Sequence, residues 1–313
     1  MASAVPILLS FYALSNGSEA IICGQLTRTV PSDLSFVNFG RRKTFRTLLS
    51  LYRTKPLINQ SISLRFNSGS ISAVTDASGS FFVKRRIDDI NSILQRVELS
   101  NGEEALLMEG LYLRSIHHVI NPYLVISDID DTLLHSYISN KVRQFRTLAF
   151  TPVERRKAVV PMQEVMKRFV RSGASSIYLS NSELNLYPLI YRFLIHNDFP
   201  PGPLFLKRLR RLGDLFRYRK LSERDVHKMK ILDEVLPLFS GRKFALVGDN
   251  TQHDLPIYLS VAEKYPESVR FILIRRVIKR SAVDGLVEEA KQKLSQIKIE
   301  LYYADNFPPV FSW

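Results

Sequence analysis

The stretch that most constrains this chain is Leu124-Val125-Ile126-Ser127-Asp128-Ile129-Asp130-Asp131-Thr132-Leu133-Leu134, an apolar run that stops on three carboxylates and a threonine. Consecutive Leu, Val and Ile without a polar face predict a strand buried on both sides, as in a parallel sheet covered by helices. Carboxylates at the C-terminal end of such a strand lie in the crevice where open α/β sheets bind ligands. Asp128 and Asp130 then point into that crevice together. Two acids held close repel each other, so the arrangement asks for a hard, oxygen-seeking cation such as Mg²⁺. A carboxylate beside such a cation can attack phosphorus and form an aspartyl phosphate. The same residues also fit a plain acidic turn or helix start after a strand, where Asp is favoured in any case.

Beyond residue 120, strand and helix patterns alternate. Tyr123–Ser127, Ser176–Leu179, Phe244–Val247 and Val269–Ile274 read as strands. Pro161–Ser172, Leu186–His196, Glu223–Leu238 and Leu255–Lys264 read as helices between them. That order argues for an α/β fold with a doubly wound parallel sheet. The strand ends carry the chemistry. Ser176–Leu179 runs into Ser180-Asn181-Ser182, a hydroxyl and an amide able to hold phosphate oxygens beside the N–H groups of a following helix. Phe244–Val247 runs into Gly248-Asp249-Asn250-Thr251-Gln252-His253-Asp254, which adds two acids, and Lys228 lies in the helix between. Each feature alone has a dull reading: Ser180 an N-cap, Lys228 a surface lysine, Gly248-Asp249 a turn. Their order at successive strand ends is what singles them out.

In this order the chain resembles the haloacid dehalogenase-like (HAD-like) phosphohydrolases, whose pattern is Asp-x-Asp-x-Thr, a strand ending in Ser or Thr, a Lys, and a strand ending in Gly-Asp-x-x-x-x-Asp. Within them it resembles the actin-patch-associated type of Mg²⁺-dependent phosphatidate phosphatase and its bacterial relatives. The subgroup likeness rests on Ile126 to Thr132, Tyr178 to Ser182, Phe199-Pro200-Pro201-Gly202-Pro203-Leu204, Gly248-Asp249 with Gln252-His253-Asp254, and Ile257-Tyr258. It covers roughly residues 115 to 280. The resemblance implies Asp128 as nucleophile and Asp130 as general acid and base. It implies Mg²⁺ held by Asp128, the carbonyl of Asp130, and Asp249, with Asp254 supporting the metal's water shell. Thr132, Ser180, Asn181 and Lys228 are implied to bind phosphate, with Lys230 as the fallback lysine. His253 is expected to be structural or to face substrate rather than metal.

The sequence before residue 120 reads differently. Apolar runs at Ala20–Gly24, Ser61–Phe66 and Ser80–Val83 are separated by Asn, Gly, Ser and Asp turn signals. They predict a β-rich, sandwich-like accessory domain over residues 1–110, with a helix inserted at Phe36 to Tyr52, ahead of a catalytic domain over residues 111–313. The apolar stretch Ala4 to Leu14 lacks a preceding Lys or Arg and is read as a first strand rather than an export signal. Intervals between the motifs leave little or no room for a cap over the site. An uncapped site is open to phosphate carried on a bulky molecule or a surface.

Charge bears on the partner. The formal net charge is +14, while 24% charged and 45% hydrophobic residues are ordinary globular values, so a polyanion or an anionic surface is a plausible partner of a folded chain. The clusters Arg41-Arg42-Lys43, Lys84-Arg85-Arg86 and Arg155-Arg156-Lys157 read as solvated faces. Between Lys207 and Lys220, however, seven of fourteen residues are basic, and Lys207, Arg208, Arg210, Arg211, Arg217 and Arg219 are candidates to contact an anionic surface. With the lipid-phosphatase likeness, an anionic phospholipid is the expected substrate and a peripheral membrane surface the expected setting. A phosphoprotein or nucleic-acid end fits the charge as well, although few aromatics interleave the basic runs. One cysteine leaves no internal disulfide and, with no apolar run of membrane-spanning length, points to a cytoplasmic protein.

Overall fold

The computed structural model describes residues 4–30, 41–87, 89, 91–135, 151–207, 222–251, 253–277, 281–305, 307–308, 311 and 313. It is a mixed α/β structure with two sheets. The first begins with β1 (Val5–Ser15) and β2 (Glu19–Thr29), an antiparallel hairpin. Its turn forms because Asn16 Oδ1 accepts the N–H groups of Ser18 and Glu19, at 2.9 and 2.8 Å, while Gly17 takes a φ of 103°. The sheet continues through β3 (Lys55–Pro56), β4 (Ser61–Phe66), β5 (Gly69–Val74), β6 (Ser80–Arg86), β7 (Leu94–Leu99), β8 (Glu104–Leu107) and β9 (His117–His118). These nine strands form one hydrogen-bonded path, β3-β2-β1-β8-β7-β4-β5, with β6 on β2 and β9 on β1. The inserted helix, α1, runs over Arg41–Arg53; residues 36–40 of the expected span lie outside the described residues.

The second sheet has six parallel strands: β10 (Tyr123–Ser127), β11 (Ala174–Glu183), β12 (Leu204–Lys207), β13 (Lys243–Asp249), β14 (Val269–Arg275) and β15 (Glu300–Ala304). Their order is β12-β11-β10-β13-β14-β15. Both β11 and β13 flank β10, so the chain leaves β10 to one side and later returns to the other. That reversal opens a crevice beyond the C-terminal end of β10. The helices are α2 (Val160–Arg171), α3 (Tyr187–His196), α4 (Ser222–Leu238), α5 (Asp254–Lys264) and α6 (Ser281–Gln296).

Both faces of the parallel sheet are covered, because neighbouring residues of a strand point to opposite sides. Val125, Ala245 and Val247 enter a core shared with Met162, Phe169 and Phe193, whereas Leu124, Ile126 and Leu246 pack with Leu232, Tyr258 and Leu294. The first core also takes in Ile7, Leu9 and Phe11 of β1, so the two sheets share one apolar interior. No helix among the described residues is long and apolar enough to cross a membrane.

Candidate active site

Asp128 follows β10 directly, and its N–H donates to the Val247 carbonyl at 2.8 Å, which carries the β10–β13 ladder one residue past the strand. The chain then turns on itself: the N–H groups of Leu133 and Leu134 both donate to the Ile129 carbonyl, at 2.8 and 3.0 Å. Asp131 sits in the left-handed region at φ 60°, and its N–H donates to the Leu134 carbonyl at 2.8 Å. An aspartate tolerates that conformation better than most side chains. The closed turn aims Thr132 across the crevice, where its Oγ1 donates to Asp249 Oδ2 at 2.8 Å.

Asp249 ends β13, and Asp254 opens α5 five residues later. The Asp249 N–H donates to Asp254 Oδ2 at 3.1 Å, tying strand end to helix start. Gly248 makes this approach possible, since a Cβ there would lie 2.5 Å from Asp254 Oδ2. Lys228 reaches in from α4 with no exposed surface; its Nζ donates to Asp128 Oδ1 at 2.7 Å and to Asp254 Oδ1. On the other side, Ser180 and Ser182 at the end of β11 donate to Asp130 Oδ2 at 2.8 and 2.6 Å.

Asp128, Asp249 and Asp254 thus bring carboxylate oxygens within 4.8 Å of one another, all buried. One lysine does not balance three acids. Burial pushes the Asp128 carboxyl well above its ordinary range, Lys228 draws it back, and Asp254, Asp249 and Asp130 raise it again. Asp249 is pushed up to about 7 by burial and by Asp254, against the lowering effect of its bonds from Thr251 and Thr132. Burial would strip the Lys228 proton, but Asp128 and Asp254 outweigh it and hold the ammonium pKa well above the usual value. Asp128 Oδ2 is buried with no hydrogen-bond partner among the described residues. An orphaned carboxylate oxygen amid excess negative charge is what a divalent cation with oxygen ligands fits.

Asp249 gives the stability a pH dependence. Its folded pKa of about 7 lies above the ordinary 3.8, so the folded protein keeps a proton that the unfolded chain has released. Stability therefore falls as pH rises between those values, and bound Mg²⁺ should abolish the contribution by favouring the ionised form. Urea midpoints between pH 4.5 and 7.5 should diverge, with the protein in chelator dropping relative to the protein in Mg²⁺. Parallel curves would mean that these acids do not share a cation.

The sequence-selected groups fall into two neighbouring clusters. Asp128, Asp249, Asp254, Lys228 and Thr132 form one; Asp130, Ser180 and Ser182 form the other, with Asn181 half-buried between the serines. The Asp130 carboxylate faces the serines and is not one of the three clustered metal-type ligands. Lys230 is exposed, one helical step from the buried Lys228. His253 takes the N-cap position of α5 and makes no capping bond with its side chain. Lys207, expected at a surface, is 8% exposed at the end of β12, and Arg208, Arg210, Arg211, Arg217 and Arg219 lie outside the described residues.

Three contributions escape sequence reasoning. Arg275, ending β14, donates to the Asp131 carbonyl at 2.6 Å and braces the turn. Arg156, read as part of a solvated cluster, is 4% exposed and close enough to Asp130 and Glu154 for both carboxylates to act on its charge. It is carried there by a returning segment: Leu134 bridges Ala158, and the Val159 N–H donates to the Leu133 carbonyl at 2.8 Å. Ser182 as a second hold on Asp130 had a faint signal, the two-residue spacing from Ser180 that puts both on one face of a strand.

Comparison with known proteins places the site inside one matched segment. Residues 123–276 match the family described as "Phosphatidate phosphatase APP1, catalytic domain". The chain is similar to phosphatidate phosphatase APP1 of Saccharomyces cerevisiae, 29% identical over 217 residues, covering 68% of this chain and 36% of that protein. It is also similar to an uncharacterized protein of Schizosaccharomyces pombe, 23% identical over 244 residues, covering 74% of this chain and 38% of the other. The chain thus spans little more than a third of either yeast protein. Among solved structures, a chain of the Pnkp1/Rnl/Hen1 complex aligns at 17% identity and a TM-score of 0.33, over 67% of this chain and 55% of that one, too weak a likeness to carry an argument. The matched segment contains every acid, serine and lysine of the two clusters, and over that segment, residues 123–276, this chain is similar to the APP1 type of catalytic domain.

Proposed function

We propose that this protein is a phosphoric monoester hydrolase of the Mg²⁺-dependent phosphatidate phosphatase type, working through an aspartyl phosphate on Asp128. The observation that carries the reading is the buried set Asp128, Asp249, Asp254 and Lys228 at the sheet's switch point, with Asp130 held beside it by two hydroxyls. The finer architecture is part of the same proposal: a HAD-like, doubly wound domain with little or no cap over residues 111–313, and a sandwich-like accessory domain over residues 1–110.

In this reading Asp128 gives one oxygen to Lys228 and keeps the other clear of hydrogen bonds from the described residues, as an attacking or cation-facing oxygen requires. Its carboxylate displaces the alcohol at phosphorus; the P–O bond to the leaving oxygen breaks, and that oxygen takes a proton from Asp130. Asp130, now ionised, takes a proton from water, whose oxygen attacks the phosphoryl group and frees phosphate and Asp128. The hydroxyls of Ser180 and Ser182 set the direction of the Asp130 carboxyl. Lys228 offers positive charge to the phosphoryl oxygens without leaving the acids it neutralises, while Thr132 keeps Asp249 turned inward. Mg²⁺, held by Asp128, Asp249, the Asp130 carbonyl and, through its water shell, Asp254, would add charge stabilisation of the transferring group.

The family likeness and the net charge of +14 favour phosphatidate, cleaved to diacylglycerol at a membrane surface that the protein visits from the cytoplasm. A phosphoprotein or a nucleic-acid end is the alternative within the same chemistry, and a non-catalytic protein that binds anionic surfaces is the alternative outside it. Phosphate release should be measured from phosphatidate vesicles, lysophosphatidate, phosphopeptides and end-phosphorylated oligonucleotides. The expected result is Mg²⁺-dependent hydrolysis of phosphatidate, lost in chelator and poorly restored by Ca²⁺, whose looser coordination suits the attack less well. Preference for a peptide or oligonucleotide would replace the substrate but keep the chemistry. Vesicle binding without hydrolysis of any ester would support the binding protein instead.

A further inference from the structure

Helix α5 is seated on β13 by two hydrogen bonds one helical turn apart. The Asp249 N–H donates to Asp254 Oδ2 at 3.1 Å, and the Tyr258 hydroxyl donates to the Val247 carbonyl at 3.0 Å. A step forward along the helix is therefore a step back along the strand. Four residues of helix rise about 6 Å and two residues of strand about 6.6 Å, so the two contacts are in step with each other. Gly248, between the two strand positions, allows the close approach.

The second contact falls on a shared acceptor. The Val247 carbonyl also takes the Asp128 N–H at 2.8 Å, so one peptide oxygen meets both the main chain of Asp128 and helix α5. Tyr258, Val247, Asp128, Asp254 and Lys228 all have no exposed surface. The Tyr258 ring shares its core with Leu232, Leu246 and Val261, where a phenylalanine would pack without a hydroxyl to satisfy. Nor does the carbonyl require the hydroxyl, since Asp128 already gives it a donor. What the hydroxyl adds is position. Asp254 divides its carboxylate between the Asp249 N–H and Lys228 Nζ, whose other bond goes to Asp128 Oδ1 at 2.7 Å. A slide of α5 along its axis would draw Asp254 away from both donors at once.

We infer that Tyr258 is a positioning residue of the active site: its hydroxyl pins α5 to the Val247 carbonyl and so sets Asp254 where it grips both Lys228 and the end of β13. The inference rests on the reading of Asp128, Asp249 and Asp254 as a cation-binding set, and it gives Tyr258 no contact with substrate. Small displacements matter in such a set, because groups that orient the ligands of a metal typically contribute about 10- to 100-fold to metal affinity or activity.

Tyr258→Phe keeps the ring and removes the hydroxyl. Tyr265→Phe is the control, because the Tyr265 hydroxyl holds the far end of the same helix, on Asp233 Oδ1 at 3.0 Å. Calorimetric titration of the metal-free protein with Mg²⁺ should show an affinity about tenfold weaker for Tyr258→Phe and unchanged for Tyr265→Phe. On whichever phosphate ester the wild type cleaves, the Mg²⁺ concentration for half-maximal turnover should rise by the same factor, with KM for the ester at saturating Mg²⁺ within about twofold. Hydrogen exchange of the Asp249 amide, measured without metal or substrate, should be faster in Tyr258→Phe than in the wild type and unchanged in Tyr265→Phe, because Asp254 then holds that amide less steadily. Equal effects of the two substitutions on Mg²⁺ affinity, or unchanged exchange at Asp249 in Tyr258→Phe, would each overturn the inference. If the wild type binds Mg²⁺ but cleaves no ester, the hydrolase reading fails, and titration and exchange still decide the role of Tyr258. If the wild type binds no Mg²⁺, the cation reading fails, and exchange at Asp249 alone decides whether Tyr258 seats Asp254.

Discussion

Asp128→Asn should abolish turnover on every phosphate ester that the wild type hydrolyses, a loss on the order of 10⁴-fold or more, as for removal of other catalytic nucleophiles. The amide has the shape of the carboxylate but cannot form the acyl phosphate. Folding should not suffer. Burial holds the Asp128 carboxyl well above its ordinary range, and the acids around it hold it there against Lys228, so a neutral amide removes a charge that the fold accommodates with difficulty. The asparagine oxygen can still accept from Lys228. In chelator the urea midpoint of the variant should equal or exceed that of the wild type, while acid-quenched samples should trap a phosphoenzyme only from the wild type. Turnover within tenfold of wild type would mean that a different group attacks phosphorus.

Lys228→Met should have the largest effect on stability. Lys228 has no exposed surface and bonds two buried carboxylates, so its loss leaves three clustered acids without their cation. Breaking a buried ion pair by removing one partner typically costs about 3–5 kcal/mol, because the remaining charge stays desolvated and uncompensated. Mg²⁺ should restore more stability to the variant than it adds to the wild type, since the excess negative charge it meets is greater. Lys230→Met is the matched control: Lys230 is exposed, and its replacement should change stability by no more than about 0.5 kcal/mol. Chemical denaturation with and without Mg²⁺ measures both. Equal, small effects of the two substitutions would mean that Lys228 does not neutralise the cluster.

Much of the parallel sheet was legible because each of its central strands is a short Val-, Ile- or Leu-rich run bounded by a motif. Tyr123–Ser127 forms as expected, and the runs at Ser176, Phe244 and Val269 lie within β11, β13 and β14. The four expected helices appear within a residue or so at each end. β12 and β15 were missed. β12 is four residues long and follows Pro200-Pro201-Gly202-Pro203, which reads as a loop, while β15 is a short edge strand after a charged helix. In the first sheet, β7 and β8 lack a clear apolar alternation: Gln95, Arg96 and Glu98 interrupt β7, and β8 is only four residues long. They pair with each other across a short turn, but their other partners, β4 and β1, lie far away in sequence, and a local pattern does not contain them.

By itself the sequence determined which groups could do chemistry: acids, serines and a lysine at strand ends, in an order that one crossover topology converges on. Side-chain type and distance from the end of an apolar run suffice for that, because a parallel sheet puts every strand's C-terminal end on the same side. Only the tertiary structure decided which of two neighbouring lysines is buried among the acids, since Lys228 and Lys230 differ by where a helix face turns rather than by chemistry. Tertiary structure likewise took Arg156 out of an apparently solvated run and Lys207 out of an expected surface patch and buried them, through a returning segment beside Leu134 and through the register of β12 on β11. It also packed α1, inserted among the strands of the first sheet, against the turn Leu184–Leu186 that follows β11. Such contacts depend on how whole elements pack, and a local stretch of sequence carries no record of what will lie across from it.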